Sequence, residues 1–145
     1  MKVKDILSNK GPQVFTIGDN MPIRIAIEYL ANNKIGVLLV LSEDGKICGI
    51  ISERDIIREF AKSKAETLDM LVGEVMTRQV IFVEPDDEIE YAEKVFTQNK
   101  IRHLPVLQQK RLVGLISIGD VVKAALNETK TENKYLMEYI GGNVK

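Results

Sequence analysis

The residues best suited to chemistry in this chain occur twice. Gly49-Ile50-Ile51-Ser52-Glu53-Arg54-Asp55 returns 65 residues later as Gly114-Leu115-Ile116-Ser117-Ile118-Gly119-Asp120. In each copy an apolar strand runs into a helix at a serine, with an aspartate three residues on. That spacing marks a helix N-terminus with a capping box, in which the serine hydroxyl and the acidic side chain each satisfy one backbone amide. The first amides of a helix lack intrahelical partners and carry the positive end of the dipole, so the same turn can hold a phosphate. The plainer reading is that Ser52 and Ser117 only cap their helices, with Asp55 and Asp120 complementing the dipole. Two copies in register weigh against that reading, since a single cap needs no duplicate.

Other chemistries have little to work with. Cys48 is the only cysteine, which excludes an intramolecular disulfide, a cysteine zinc cage and a Cys-x-x-Cys redox pair. It lies in the apolar run Ile47-Cys48-Gly49-Ile50-Ile51 and is expected to pack as a small hydrophobe. His103 is the only histidine, too few for a metal site built on two or three imidazoles, though one can still act as a base or touch a ligand. An enzyme using Asp120 and His103 as acid and base is discounted, because no nucleophile with a neighbouring base is visible.

A chain of 145 residues suits one compact unit that buries roughly 70% of its unfolded surface. A net charge of −1 without long basic blocks supplies little of the field that nucleic-acid binding through phosphates requires. The longest apolar run, Ile35 to Leu41, is far short of the ~20 residues that cross a bilayer, and the N-terminus lacks the apolar core of a signal peptide. A cytoplasmic protein with no membrane partner is expected.

The elements that must position the two corners repeat as well. Val3-Lys4-Asp5-Ile6-Leu7 and Val72-Gly73-Glu74-Val75-Met76 read as short helices, each leading into a repeat. Val14 to Ile17 reads as a first strand, and Ile23, Ala26, Ile27, Leu30 and Ala31 as the buried face of a helix ending near Asn32 to Lys34. Val37 to Leu41 and Ile47 to Ile51 form strands joined by the turn Ser42 to Lys46, and Ile56, Ile57, Phe60 and Ala61 continue the helix after Ser52. The order is β-α-β-β-α, with the first pair of strands parallel and the second antiparallel. The second half copies it: Val80 to Val83 as a strand, then Ile89, Ala92 and Phe96 matching Ile23, Ala26 and Leu30. Beyond the turn Gln108 to Arg111, Val121, Val122, Ala125 and Leu126 match Ile56, Ile57, Phe60 and Ala61. Glu93 departs from apolar Ile27, so the two helices should face different neighbours. The expected division is a first repeat over 1–69, including the N-terminal helix and linker, a second over 70–129, and a C-terminal helix and tail over 130–145. Thr131 to Ile140 would form that last helix, with Tyr135, Met137, Tyr139 and Ile140 offering packing or dimer surface.

With these segments the chain resembles a tandem pair of CBS domains, a Bateman module, in its stand-alone form. The resemblance covers about residues 3 to 128 and is carried by Ile35 to Val40, Gly49 to Asp55, Arg102-His103-Leu104-Pro105-Val106 and Gly114 to Asp120. It implies an α/β (α+β) fold of two repeats related by a pseudo-two-fold axis. It also implies an adenine-nucleotide ligand (AMP, ADP, ATP or NAD, with S-adenosylmethionine behind them), a disc-like homodimer and an unidentified regulated protein. Carried over position by position, the ligand-binding candidates in the first repeat are Thr16, Ile35, Gly36, Val37, Ser52, Arg54 and Asp55. In the second they are Ile81, Arg102, His103, Leu104, Pro105, Ser117, Ile118, Gly119 and Asp120. Phe82 stands where Thr16 stands in the first repeat, so the two clefts should differ.

Residue chemistry agrees with that expectation, since a carboxylate such as Asp55 or Asp120 can accept hydrogen bonds from both vicinal hydroxyls of a ribose. Repeat one pairs Gly36 on the strand side with Arg54 in the helix turn, whereas repeat two pairs Arg102 with Gly119. The expectation is therefore one guanidinium per cleft, entering from opposite walls and binding phosphate through its fork of donors. Both corners are expected to face a shared groove. The competing function is a scaffold or dimerisation protein whose clefts stay empty.

Overall fold

The structure, a computed structural model, describes residues 1–10 and 14–128. The expected helix over Thr131 to Ile140 and the division at 130–145 lie outside the described residues.

Helix α1 (Val3–Lys10) is followed by β1 (Thr16–Gly18), α2 (Ile23–Asn33), β2 (Val37–Leu41), β3 (Ile47–Ser52) and α3 (Glu53–Ser63). A 3-10 turn, Lys64–Asp69, leads to the short α4 (Val72–Val75), then α5 (Ile89–Asn99), β4 (His103–Gln108) and β5 (Arg111–Ser117). A last helix, α6, runs from 118 through 128, where the described residues end.

In the first half the sheet order is β1-β2-β3, with β1 parallel to β2 and β2 antiparallel to β3. The helix between β1 and β2 supplies the crossover that a parallel pair needs, and a tight turn suffices for the second pair. Gly45 sits in that turn at φ 82°, a conformation glycine adopts without a Cβ penalty. Strand β2 is buried from Val37 to Val40, as its unbroken apolar run predicts. Helix α2 turns Ile23, Ala26 and Leu30 inward and stops at Lys34, whose left-handed backbone lets its amide reach the carbonyls of Ala31 and Leu30.

In its strands the second half departs from its copy at one element. Val80 to Val83 does not form a strand, and only Val83 makes a bridge, parallel to Val106. Pro105 supplies the reason. In the first half the Leu39 amide donates to the Phe15 carbonyl at 3.2 Å. The matching donor in the second half would be the nitrogen of Pro105, which carries no hydrogen, so the ladder has a gap next to Ile81. Two bonds survive beyond the gap, Val83 N to Pro105 O at 3.1 Å and Leu107 N to Val83 O at 2.9 Å.

The leading helices are exchanged. Helix α1 contributes Val3 and Ile6 to the core of the second repeat, beside Val83, Phe96, Leu104 and Ile116. Helix α4 contributes Val72 to the core of the first, beside Ile23, Leu38 and Ile51. Matching amides fix both: Val3 N donates to Asp87 O and Lys4 N to Pro85 O, while Val72 N donates to Met21 O and Gly73 N to Asp19 O. Each leading helix therefore packs on the repeat other than the one it precedes. Cys48 packs against the first core, and burial pushes its thiol pKa up, as expected of a structural cysteine.

The last two turns of apolar repetition are not all core. Ile56 and Val121 are buried, but Ile57, Val122 and Leu126 are 66%, 52% and 61% exposed. Ile27 lines an apolar groove of about 550 Å³ between α2 and α3, together with Leu30, Ile35, Ile57 and Phe60. Glu93, its counterpart, is exposed on α5, so the two helices do face different surroundings.

Candidate functional site

Both corners form capped helices. At the first, Ser52 Oγ accepts from the Asp55 amide at 3.3 Å and Asp55 Oδ2 accepts from the Ser52 amide at 2.9 Å. At the second, Ser117 Oγ accepts from the Asp120 amide at 3.1 Å and Asp120 Oδ2 accepts from the Ser117 amide at 2.8 Å. A further matched pair closes each turn from the strand side: Glu53 N donates to Gly36 O and Ile118 N to Arg102 O, both at 3.0 Å. Two early amides of each helix are therefore taken. The corner thus leaves fewer free main-chain donors than its sequence suggests.

Beside the first corner lies a groove of about 420 Å³. Of the residues singled out from sequence it is lined by Gly36, Val37, Ser52, Arg54, Asp55, Ile81, Arg102, His103 and Pro105. Five others complete its polar rim: Glu53, Arg58, Thr77, Gln79 and Lys100. Arg58 could have been found as the residue one helical turn beyond Arg54, whereas Thr77 needed the exchange of α4. The Thr77 hydroxyl donates to Asp55 Oδ1 at 3.1 Å, and Arg58 approaches the same oxygen at 3.6 Å. The Arg58 side chain is 77% exposed and can swing away, which would return an acceptor site to Asp55.

The remaining candidates lie elsewhere. Thr16 is on the edge strand β1, and Ile35 turns to the apolar groove between α2 and α3. Leu104 is fully buried in the second core. Ser117, Ile118, Gly119 and Asp120 form the other corner and do not line the groove, so the two corners do not share it. The arginines also differ from expectation. Arg54 and Arg102 line the same groove rather than one cleft each, because the second repeat docks its 100–105 segment across from Ser52 to Asp55. With Arg58 and Lys100 they give four cations against the carboxylates of Glu53 and Asp55, a surface suited to an anionic ligand.

Asp120 is held differently from Asp55. Lys10 Nζ donates to its Oδ2 at 2.7 Å and to the Leu115 carbonyl at 3.0 Å. Burial works to raise the Asp120 pKa, but the Lys10 and Ser117 hydrogen bonds overcome it and leave the carboxyl below its ordinary range. His103 is pushed down, first by burial and then by the Lys10 and Arg102 charges, with Asp120 opposing. Both depressions act in one direction. The unfolded chain binds protons that the folded chain refuses, so each contribution to stability is complete above the unfolded pKa and is lost as pH falls through the folded one. Denaturant stability is therefore expected to fall first below about pH 6.5 and again below about pH 4. Replacing His103 with glutamine should flatten the first step and leave the second; an unchanged first step would remove His103 as its source.

Among the described residues no helix is long and apolar enough to cross a membrane, and no group of three or more His, Cys, Asp or Glu side chains could hold a metal ion.

Comparison with known proteins places these features in context. The family model for the CBS domain matches residues 3–62 and 72–127. The chain is similar to the mitochondrial CBS domain-containing protein CBSX3 of Arabidopsis thaliana, 35% identical over 121 residues that cover 81% of this chain. It spans 59% of that relative's length. Among solved structures it resembles the CBS-domain-containing protein ATU1752 from Agrobacterium tumefaciens (38% identity, TM-score 0.82, covering 86% of this chain and 92% of that one). Two others carry ligands. One is the CBS domain pair of protein MJ0100 in complex with 5'-methylthioadenosine and S-adenosyl-L-methionine (28% identity, TM-score 0.77, 88% and 98% covered). The other is CBSX2 in complex with AMP (26% identity, TM-score 0.73, 88% and 98% covered).

Proposed function

Since this chain belongs to the CBS domain family, we propose that it is an adenine-nucleotide-binding regulatory module whose ligand occupies the groove beside Asp55. The observation that carries this reading is the pairing, on one groove, of a carboxylate fitted to ribose hydroxyls with four cationic side chains fitted to phosphate. The apolar wall of Val37, Ile50, Val80, Ile81 and Pro105 gives the base a surface to lie on. Complexes of similar proteins with AMP and with S-adenosyl ligands support an adenosine-containing ligand. The excess of cations favours AMP, ADP, ATP or NAD over S-adenosylmethionine, whose sulfonium would meet like charge.

Binding is tested by melting the protein with adenosine, AMP, ADP, ATP, NAD and S-adenosylmethionine. A ligand at one hundred times its dissociation constant adds about 2.7 kcal/mol, or roughly 5–10 °C for a chain of this size. No shift with any of them would favour the scaffold reading. Turnover of ATP or NAD would instead reopen an enzymatic one.

Regulation requires that the ligand bind two arrangements of the repeats unequally, so that a partner protein can read the difference. A second copy of this chain is the partner best supported by the surface. Ile57, Val122 and Leu126 expose apolar side chains on α3 and α6, and the apolar groove between α2 and α3 adjoins Ile57. Light scattering is expected to report a dimer, and Ile57→Glu to shift it toward monomer with AMP affinity retained. A monomeric wild-type protein would remove the dimer from the proposal.

A further inference from the structure

The two aspartates occupy matching corners, yet their third partners differ in charge. At the first, Thr77 performs two tasks: its amide donates to Ile50 O at 2.8 Å and its hydroxyl to Asp55 Oδ1 at 3.1 Å. Leu115 is the counterpart of Ile50, and Asp120 of Asp55. At the second corner one ammonium does both jobs, since Lys10 Nζ reaches Leu115 O at 3.0 Å and Asp120 Oδ2 at 2.7 Å. Leading helices of unequal length make this possible. Helix α4 ends at Val75 and Thr77 follows in extended chain, but α1 continues through Lys10. Leu7 packs over Gly114 as Met76 packs over Gly49, so the helices start in the same place and α1 carries a lysine further across the corner.

We propose that Lys10 is the residue that makes the two corners unequal: it occupies the second one as an internal cation, so that the chain takes one nucleotide, beside Asp55. The inference rests on the nucleotide reading above. A ribose at Asp120 would compete with the short charge-assisted bond from the Lys10 ammonium. At Asp55 its competitors are a neutral hydroxyl at 3.1 Å and a largely exposed arginine no closer than 3.6 Å. The intruding ammonium also anchors the end of α1, so any ligand that entered the second corner would have to release that helix.

The test is AMP titration calorimetry on the full chain, with Lys10→Gln and Lys10→Ala beside the wild type. The expected result is one AMP per chain for the wild type and two for at least one variant, the added site being abolished by Asp120→Asn. A wild-type stoichiometry of two, or variants that stay folded by circular dichroism and bind one AMP with unchanged affinity, would overturn the inference and leave the nucleotide reading standing. A tenfold or greater loss of AMP affinity in both variants would assign Lys10 to phosphate and overturn it as well. Absence of AMP binding by wild type and variants alike would sink the nucleotide reading, and the inference with it.

Discussion

Replacing Asp55 with alanine is expected to weaken AMP binding by about 100-fold, corresponding to roughly 2.7 kcal/mol. Among the described residues the carboxylate is the only acidic group on the groove that is fixed on several sides: by the Ser52 amide at 2.9 Å, the Ser52 hydroxyl at 3.1 Å and the Thr77 hydroxyl at 3.1 Å. Its side chain is 11% exposed, so it does not have to be ordered when ligand arrives. Hydrogen bonds from two ribose hydroxyls to a preorganised anion each contribute about 1.5 kcal/mol or more. Asp55 also caps α3, so the alanine variant should lose about 1 kcal/mol of stability, and Asp55→Asn separates the effects by keeping the shape while removing the charge. Calorimetry with adenosine and AMP assigns the contact. Asp55→Asn should weaken both by a similar factor, because ribose is common to them, while Arg102→Ala should weaken AMP about tenfold and leave adenosine alone. Unchanged AMP affinity in Asp55→Asn would move the ligand away from this corner.

The second large effect belongs to stability. A Cβ at Gly49 would lie 2.4 Å from Met76 Sδ and 2.9 Å from the Thr77 carbonyl oxygen. A methionine tip can move, but the carbonyl cannot easily do so, because Thr77 and Ile50 exchange both backbone hydrogen bonds, at 2.8 and 3.0 Å. Gly49→Ala is expected to cost about 2–3 kcal/mol and to lower the melting temperature by on the order of 10 °C. The counterpart Gly114→Ala should cost less. Its nearest obstacles, at 2.5 and 3.2 Å, are the terminal methyls of Leu7, a flexible side chain with no backbone atom behind it at that range. Because Thr77 also holds Asp55, Gly49→Ala should reduce AMP affinity as well, whereas Gly114→Ala should not. Equal destabilisation by the two would mean that side-chain crowding alone sets the cost.

The capping boxes at Ser52 and Ser117 were legible because the interacting groups are three residues apart, and a short spacing fixes geometry almost wherever the chain goes. The parallel and antiparallel pairing in the first repeat followed from connection length. The failure of Val80 to Val83 as a strand was written in Pro105, but its meaning depended on knowing which carbonyl the missing amide should have met. The CBS domain match itself needed only the duplication and its motifs.

Local sequence was enough for the repeated order of elements, apart from the strand missing at Val80 to Val83, for the two serine-aspartate corners and for most of the buried helix faces, since all of these follow from hydrogen bonds and periodicity within a few residues. The packed fold was needed to learn that α1 and α4 trade cores, that Arg54 and Arg102 meet on one groove, and that Lys10 reaches across 110 positions to Asp120. Those arrangements depend on how one repeat docks against the other. Docking is set by the fit of two finished surfaces, a property that no local run of residues contains.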